Sequence, residues 1–202
     1  MRPEFSIFLE ASFRGNRNYF HSTDLYDSLL LALRNNGVEP TKFDIKMHAK
    51  ITTHPEIYFY RDTPINLENH PAAIAKFSTP KFSYVAFVMN GGASIEKFKP
   101  YDESTIWSKI MVENKCFEVN NCIDYSPIEV VTSVGVFAQK SLFPPPSGKR
   151  WLLAQIAANR LLGKTETEFF KLEVVRKLGP NLVQSNMIDQ FGVFGKMFFI
   201  LK

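Results

Sequence analysis

The sequence predicts an α+β protein in which one pattern occurs twice: a strand, an irregular loop, an apolar helix, a glycine stop and several further strands. Three observations carry this. Apolar and polar residues alternate with period two along several short runs, the signature of half-buried strands. Two longer apolar stretches are each followed by a glycine that can stop a helix. Finally, 45% hydrophobic and 22% charged residues, with 19 Phe against 2 Trp in 202 residues, describe a folded chain with wide sheet faces packed by bulky rings. Disordered, collagen-like and coiled-coil classes are excluded by the same composition.

Phe5, Ile7 and Leu9 alternate with Ser6, Phe8 and Glu10 and read as the first strand. Arg14-Gly15-Asn16-Arg17-Asn18 breaks it. Ser22, Thr23 or Asp24 then caps a helix whose buried face is Leu25, Leu29, Ala32 and Leu33, thickened by Leu30 and Leu31. Asn35-Asn36-Gly37 ends it. Strands are predicted over 43–52, 56–60, 81–89 and 106–119, separated by a Pro- and Asn-rich loop at 62–80 and by Asn90-Gly91-Gly92. Within the longer loop, 72–77 is too short a run to assign.

The remaining sequence repeats that order. A strand is predicted over 128–138, a Pro-rich break over 142–148, a helix over 149–162 with Leu152, Ile156 and Leu161 inward, and a stop at Gly163. Strands follow over 169–177, 182–188 and 193–201, with turns at Gly179-Pro180 and Gly192. Thr41-Lys42-Phe43 and Thr167-Glu168-Phe169 each follow the helix stop at a short distance. The offset of roughly 125 residues suits a domain duplication and not a solenoid. The expected halves are 1–124 and 125–202.

Charge and cysteine content narrow the function classes. Twenty-four basic and 20 acidic residues give a net charge of +4, compatible with an anionic partner but not with a nucleic-acid binder, since the cations are scattered. Cys116 and Cys122 cannot complete a tetrahedral zinc site, and free thiols are expected over a hairpin disulfide. His48, His54 and His70 have no metal-ligand spacing, and His48 falls on the polar face of its strand. Neither a metal nor a cofactor is expected. The N-terminal run has an early Glu4 and alternates too soon for a signal peptide, and no apolar run spans a membrane, so a cytoplasmic location is expected. Hydrolase elbows, dinucleotide loops and a P-loop are not found; Pro144-Pro145-Pro146 occupies the approach a P-loop glycine would need.

The segments FRGNRNYFHSTDLYDSLLLAL (13–33) and FAQKSLFPPPSGKRWLLAQIAANRLL (137–162), each in the order strand, loop, helix and strands, resemble the hot-dog superfamily in fused, double form. The resemblance implies a sheet wrapped around a central helix and binding of acyl thioesters of coenzyme A or acyl carrier protein. It further implies a thioesterase, a dehydratase or an acyl-transfer protein. In that superfamily the loop entering the helix carries polar residues, and Arg17, Asn18, His21 and Asp24 are similar in placement. The glycine-histidine-phenylalanine-proline run of the dehydratases is missing, as is the aspartate and histidine-asparagine signature of many thioesterases. The resemblance therefore reaches the class and not the reaction.

The residues themselves suggest chemistry for that loop. His21, just before a helix start, suits acid/base work beside unpaired helix-end amides that could polarise a carbonyl. A loop histidine bonded to neighbouring backbone is the competing reading. Asn18 and Asp24 would complete a catalytic group with His21, although Asp24 equally suits a helix cap. Asp27 reads as a solvated first-turn acid. Tyr19 and Arg17 would contact substrate, and Tyr19 and Tyr26 equally suit buried, satisfied hydroxyls. Val85 and Phe87, or Ala86 and Val88, would wall an acyl tunnel. Ser147-Gly148-Lys149-Arg150, opening the second predicted helix, would hold a phosphate, against a plain solvated basic loop.

The function expected is an acyl-thioester processing enzyme acting on acyl-coenzyme A or acyl carrier protein, without nucleic acid or membrane, and with a homodimer left open. The alternatives are a non-catalytic small-molecule-binding or scaffold protein of the same fold, and a single α+β domain whose repeat is accidental.

Overall fold

The computed structural model describes residues 2–61 and 70–202, so the 62–69 part of the predicted loop lies outside the described residues. The chain divides into two compact units, Met1–Tyr101 and Asp102–Lys202. The division expected at 124/125 falls inside the second unit.

In the first unit β1 (Phe5–Phe8) and the two-residue β2 (Phe13–Arg14) precede α1 (Ser22–Asn35). There follow β3 (Lys42–Met47), β4 (Thr53–Arg61), β5 (Ala73–Ser78), β6 (Ser83–Ser94) and the short β7 (Phe98–Lys99). The sheet order is β1-β4-β6-β5-β3, every neighbour antiparallel, and β2 pairs with β7 in parallel. Helix α1 forms where the leucine spacing placed it: Leu25, Leu29 and Leu33 are fully buried, and Tyr26 meets Phe43 of β3 edge-on with centroids 4.9 Å apart. Leu31 faces out. The helix ends at Asn36, with Gly37 at φ +71 supplying the left-handed residue.

Two details differ from the sequence reading. The unassigned run 72–77 is largely strand β5, a short central partner of β3 and β6. Strand β6 also runs through Asn90-Gly91-Gly92, where a turn was expected. There Gly91 lets the backbone pass: a Cβ on it would lie 2.5 Å from the His54 carbonyl oxygen, beside the register shift between Thr53 and Pro55.

The second unit runs α2 (Ser104–Ser108), β8 (Met111–Glu113), β9 (Cys116–Asn120), α3 (Pro127–Leu142), β10 (Trp151–Ala158), α4 (Lys164–Glu168), β11 (Phe169–Leu178), β12 (Leu182–Asp189) and β13 (Gly192–Leu201). Its sheet order is β10-β13-β12-β11-β9-β8, again antiparallel throughout. Each unit is thus a strand, a central helix and a run of strands. Counting strands from β1 and from β9, the spatial orders are first-third-fifth-fourth-second and first-third-fourth-fifth-second. The two frames match except that the last two strands exchange places.

Here the predicted elements were displaced along the chain. Residues 128–138, expected as a strand, are helix; 149–162, expected as a helix, hold strand β10; and 106–119 hold a helical turn and two strands. The β-branched run Ile128, Val130, Val131, Thr132, Val134 and Val136 looks like a strand, but the signals that start a helix lie just before it. Ser126 Oγ accepts from the Glu129 amide, Glu129 Oε2 accepts from the Ser126 amide at 2.8 Å, and Pro127 takes the first turn. Conversely the helix-prone Leu- and Ala-rich run of β10 pairs from Trp151↔Leu201 to Ala158↔Gly195 with β13, and that pairing overrides propensity. Gly163, expected to stop a helix, instead starts α4, its amide held by Glu166 Oε2 at 2.6 Å.

Helix α3 lies against β9, β10, β11 and β13. At Gly135 it passes close to β13: a Cβ there would sit 2.3 Å from Phe199 Cζ. Next to α4, Arg160 bridges the buried carboxylates of Glu166 and Asp189, reaching Asp189 Oδ2 at 2.7 Å, with its Cζ 4.0 Å from the Phe194 ring centre. Burial opposes the Arg160 charge, but the hydrogen bonds and charges of the two carboxylates outweigh it and raise its pKa.

Candidate functional site

The loop from Arg14 to His21 delivers several of the predicted residues to the start of α1. Gly15, at φ +55, makes the turn, and the Arg17 amide donates to the Arg14 carbonyl at 3.1 Å. His21 occupies the N-cap position, with extended backbone and no side-chain cap bond. Its ring is buried and its Nδ1 lies 2.7 Å from Thr23 Oγ1. When the Thr23 hydroxyl donates to Nδ1, the ring proton lies on Nε2.

Tyr101 organises the cluster. Its ring centre lies 4.9 Å from Arg14 Cζ, 4.8 Å from Arg17 Cζ and 5.5 Å from the His21 ring centre. Asp24 accepts two hydrogen bonds from Arg14, one from Nε at 2.6 Å. It is therefore a first-turn acid tied to an arginine and not the helix cap, because His21 already holds that position. Burial, then the charges of Arg17 and Arg14, lowers the His21 pKa from 6.5 to about 3. At neutral pH the imidazole is uncharged and too weakly basic to take up a second proton. In the tautomer protonated at Nε2 it can still donate a hydrogen bond from that nitrogen, next to the first amides of α1, which the His21 side chain does not cap.

The loop's other nominated residues spread out. Asn18 is exposed, and Tyr19 lies beneath Lys50 Nζ at 5.5 Å from its ring centre. Arg14, Thr23 and Tyr101 were missed. Arg14 was read only as part of a loop break, Thr23 only as a cap, and Tyr101 is brought in by tertiary structure that no local pattern announces. Val85, Phe87, Ala86 and Val88 are all buried, so β6 is covered on both faces.

Ser147-Gly148-Lys149-Arg150 does not open a helix. It is an exposed turn between the end of α3 and β10, with Gly148 at φ +79 and the Lys149 amide donating to the Pro146 carbonyl at 3.0 Å. The positive helix end that the phosphate reading required is replaced by the approach to a strand. Lys140 covers the Trp107 ring at 4.5 Å. Cys116 and Cys122 are free, and burial pushes the Cys122 thiol above its ordinary range. Among the described residues no group of three or more His, Cys, Asp or Glu is placed to hold a metal, and no helix is long and apolar enough to cross a membrane.

No family model matches the sequence, and no curated protein is significantly similar to it. Solved structures are similar. A candidate thioesterase from Novosphingobium aromaticivorans superposes with a TM-score of 0.50 at 9% identity, covering 98% of this chain and 94% of its own. A candidate thioesterase II from Thermobifida fusca gives 0.49 at 8%, covering 98% and 91%. A protein of unknown function with a hot-dog fold from Alicyclobacillus acidocaldarius gives 0.45 at 9%, covering 98% and 92%. At 9% identity the likeness to the Novosphingobium aromaticivorans structure concerns the fold alone. The chain has the α+β hot-dog fold, in double form.

Proposed function

We propose that this chain binds acyl thioesters, as coenzyme A or carrier-protein conjugates, and processes them at the start of α1. The observation that carries the reading is His21: a buried, neutral imidazole at an uncapped helix N-terminus, with Nδ1 engaged by Thr23. Nε2–H and the first amides of α1 would donate to a thioester carbonyl as negative charge develops on its oxygen. That service is common to hydrolysis, dehydration and acyl transfer. The name of the Novosphingobium aromaticivorans structure, a candidate thioesterase, supports the same substrate class. In this reading Arg17 and Tyr101 flank the substrate, Asp24 holds Arg14 in place, and Asn18 and Tyr19 line the approach. Lys149 and Arg150, without a helix end behind them, contribute only diffuse attraction for a phosphate.

The rival, a non-catalytic binding protein of the same fold, is favoured by one observation: Asp24 is engaged by Arg14 and is not poised as a base beside His21. Turnover of decanoyl-coenzyme A and a decanoyl carrier protein by the wild type, His21→Ala and His21→Gln separates the two. The enzyme reading expects His21→Ala to lower turnover about 10²–10³-fold, with partial recovery in His21→Gln, which restores a donor. Binding without turnover in the wild type supports the rival.

A further inference from the structure

Cations that lie far apart in the sequence are gathered by the second unit at one end of its sheet. The register pairs Trp151 with Leu201, Leu182 with Ile200 and Leu178 with Leu182, so β10, β13, β12 and β11 have these residues at a common end. Helix α3 finishes there too. The Trp151 indole donates to the Phe143 carbonyl at 2.8 Å, and Lys177 Nζ lies 5.3 Å from the Phe143 ring centre. The segments meeting at this end are 139–152, 175–184 and 198–202. They hold Lys140, Lys149, Arg150, Arg176, Lys177 and Lys202, and no Asp or Glu. All six cations are exposed. Arg150 and Lys202 are held side by side, each amide donating to the other's carbonyl, at 2.8 and 3.1 Å. The opposite end of the same strands carries Glu166, Glu168 and Asp189, so the unit has a basic end and an acidic one.

A row of aliphatic side chains crosses the sheet at the basic end. Phe199 meets α3 at Gly135, and Val183 is its register partner, so both lie on the helix side. Leu182 and Ile200, one residue along each strand, therefore face away from the helix, with Leu178 and Leu152 as their register partners. All four are half-buried. Arg176 stands beside the row, its Nε donating to Gln184 Oε1 at 3.0 Å. With strands about 4.8 Å apart the row is about 14 Å long, enough to seat one α-helix about 10–12 Å across. An apolar strip flanked by cations of one sign is complementary to a helix with carboxylates around an apolar residue.

We propose that this end of the second unit docks an acidic helix of a partner protein, with carboxylates on the cations and an apolar residue on the row of Leu182 and Ile200. The choice of partner rests on the acyl-thioester reading above. Of the two thioester conjugates in that reading, an acidic helical carrier protein presents such a surface and coenzyme A does not, so the protein-borne thioester is the preferred substrate. A single phosphate would use few of these cations, which are spread over the end of α3, the turn before β10 and the ends of β11 and β13. A membrane surface fits less well. It takes up protruding apolar side chains, and the most exposed large one among the described residues, Phe191 at 87%, lies on the hairpin at the opposite end.

The test measures binding of an acyl carrier protein bearing no acyl group, and of decanoyl-coenzyme A, by fluorescence anisotropy. The proteins are the wild type, Lys177→Glu with Lys202→Glu, and Lys42→Glu with Lys76→Glu, which alters net charge equally in the first unit. The second-unit pair should weaken carrier-protein binding about 10-fold or more in about 50 mM salt, and no more than about 3-fold in about 500 mM. The first-unit pair should weaken it by about 2-fold or less, and decanoyl-coenzyme A should change by no more than about 2-fold in either. Thermal melting checks folding; should the second-unit pair melt low, Lys177→Gln with Lys202→Gln takes its place. No carrier-protein binding by the wild type, or an equal loss in the two pairs, overturns the proposal. So does an equal loss of decanoyl-coenzyme A, which would mark a phosphate site. Binding of phosphatidylglycerol vesicles that the second-unit pair abolishes, with carrier-protein binding intact, overturns it in favour of a membrane. If no thioester is turned over but the carrier protein still binds at this end, the catalytic reading fails and the docking surface stands. If decanoyl carrier protein is processed equally well by the wild type and the second-unit pair, the docking surface fails and the catalytic reading stands.

Discussion

Helix α1 buries Leu25, Leu29 and Leu33, and its buried Thr23 hydroxyl is bonded to His21; helix α3 buries Thr132, Ser133 and Gln139 among valines, with three polar atoms lacking partners. Both helices hold the same position in their units, between a first strand and a run of antiparallel strands. In the first unit the polar chemistry is concentrated at the helix entrance, where Arg14, Arg17 and Tyr101 surround His21. In the second it lies along the helix itself, and the entrance is closed by a Ser126/Glu129 capping box. One frame can therefore carry its buried polarity at the helix end or at its middle, and the capping pattern marks the difference.

The contrast can be broken from either side. The largest effect expected is on the ion triad beside α4. Arg160→Ala strands the buried carboxylates of Glu166 and Asp189 and should destabilise the protein by about 3–5 kcal/mol, at the lower end because the guanidinium is partly exposed, as read by urea denaturation. The helices come next. Leu29→Ala opens a cavity in the apolar stripe and should cost about 2–5 kcal/mol. Gly135→Ala forces Phe199 away from α3 and should cost about 1–3 kcal/mol. A Gly135→Ala protein of unchanged stability would show that α3 has slack above that glycine.

An effect of similar size is pH-dependent and belongs to the first unit alone. The folded His21 binds a proton only near pH 3, whereas the unfolded chain binds one near 6.5. Below 6.5 the unfolded state therefore takes up more protons, and stability falls as pH falls toward 3. The loss should approach about 3 kcal/mol at pH 4.5, and His21→Gln should remove that component of the acid slope. Smallest of all, Lys149→Ala with Arg150→Ala should change acyl-coenzyme A affinity by no more than about 2-fold at physiological salt, because exposed cations on a turn are screened. A 10-fold loss would restore the phosphate role that the sequence suggested.

The sequence made the first unit more legible than the second for a physical reason. Leucines at helical spacing, a polar entrance and Asn36-Gly37 agree on α1, so every local signal pointed one way. In the second unit propensity and context disagree. The valine-rich 128–138 is helix because Ser126, Pro127 and Glu129 start one there, and Trp151 to Ala158 is strand because β13 pairs with it. The predicted order of strand, loop, helix and strands survived only because the elements are displaced by one position along the chain, with β9 and α3 taking the roles given to 128–138 and 149–162. Of the candidate site, the loop residues Arg17, His21 and Asp24 were legible from their place before α1. Tyr101, which joins Arg14, Arg17 and His21, depends on a chain reversal that no spacing encodes.

The central claim is that His21 sits neutral at the start of α1, with its proton on Nε2. Nitrogen-15 NMR of the imidazole from pH 7.5 to pH 4 tests it most directly. Expected are an unprotonated Nδ1 and a protonated Nε2 whose shifts stay constant down to about pH 5 and begin to move only below it. A titration with its midpoint between pH 5.5 and 7, or a proton on Nδ1 at neutral pH, would contradict it.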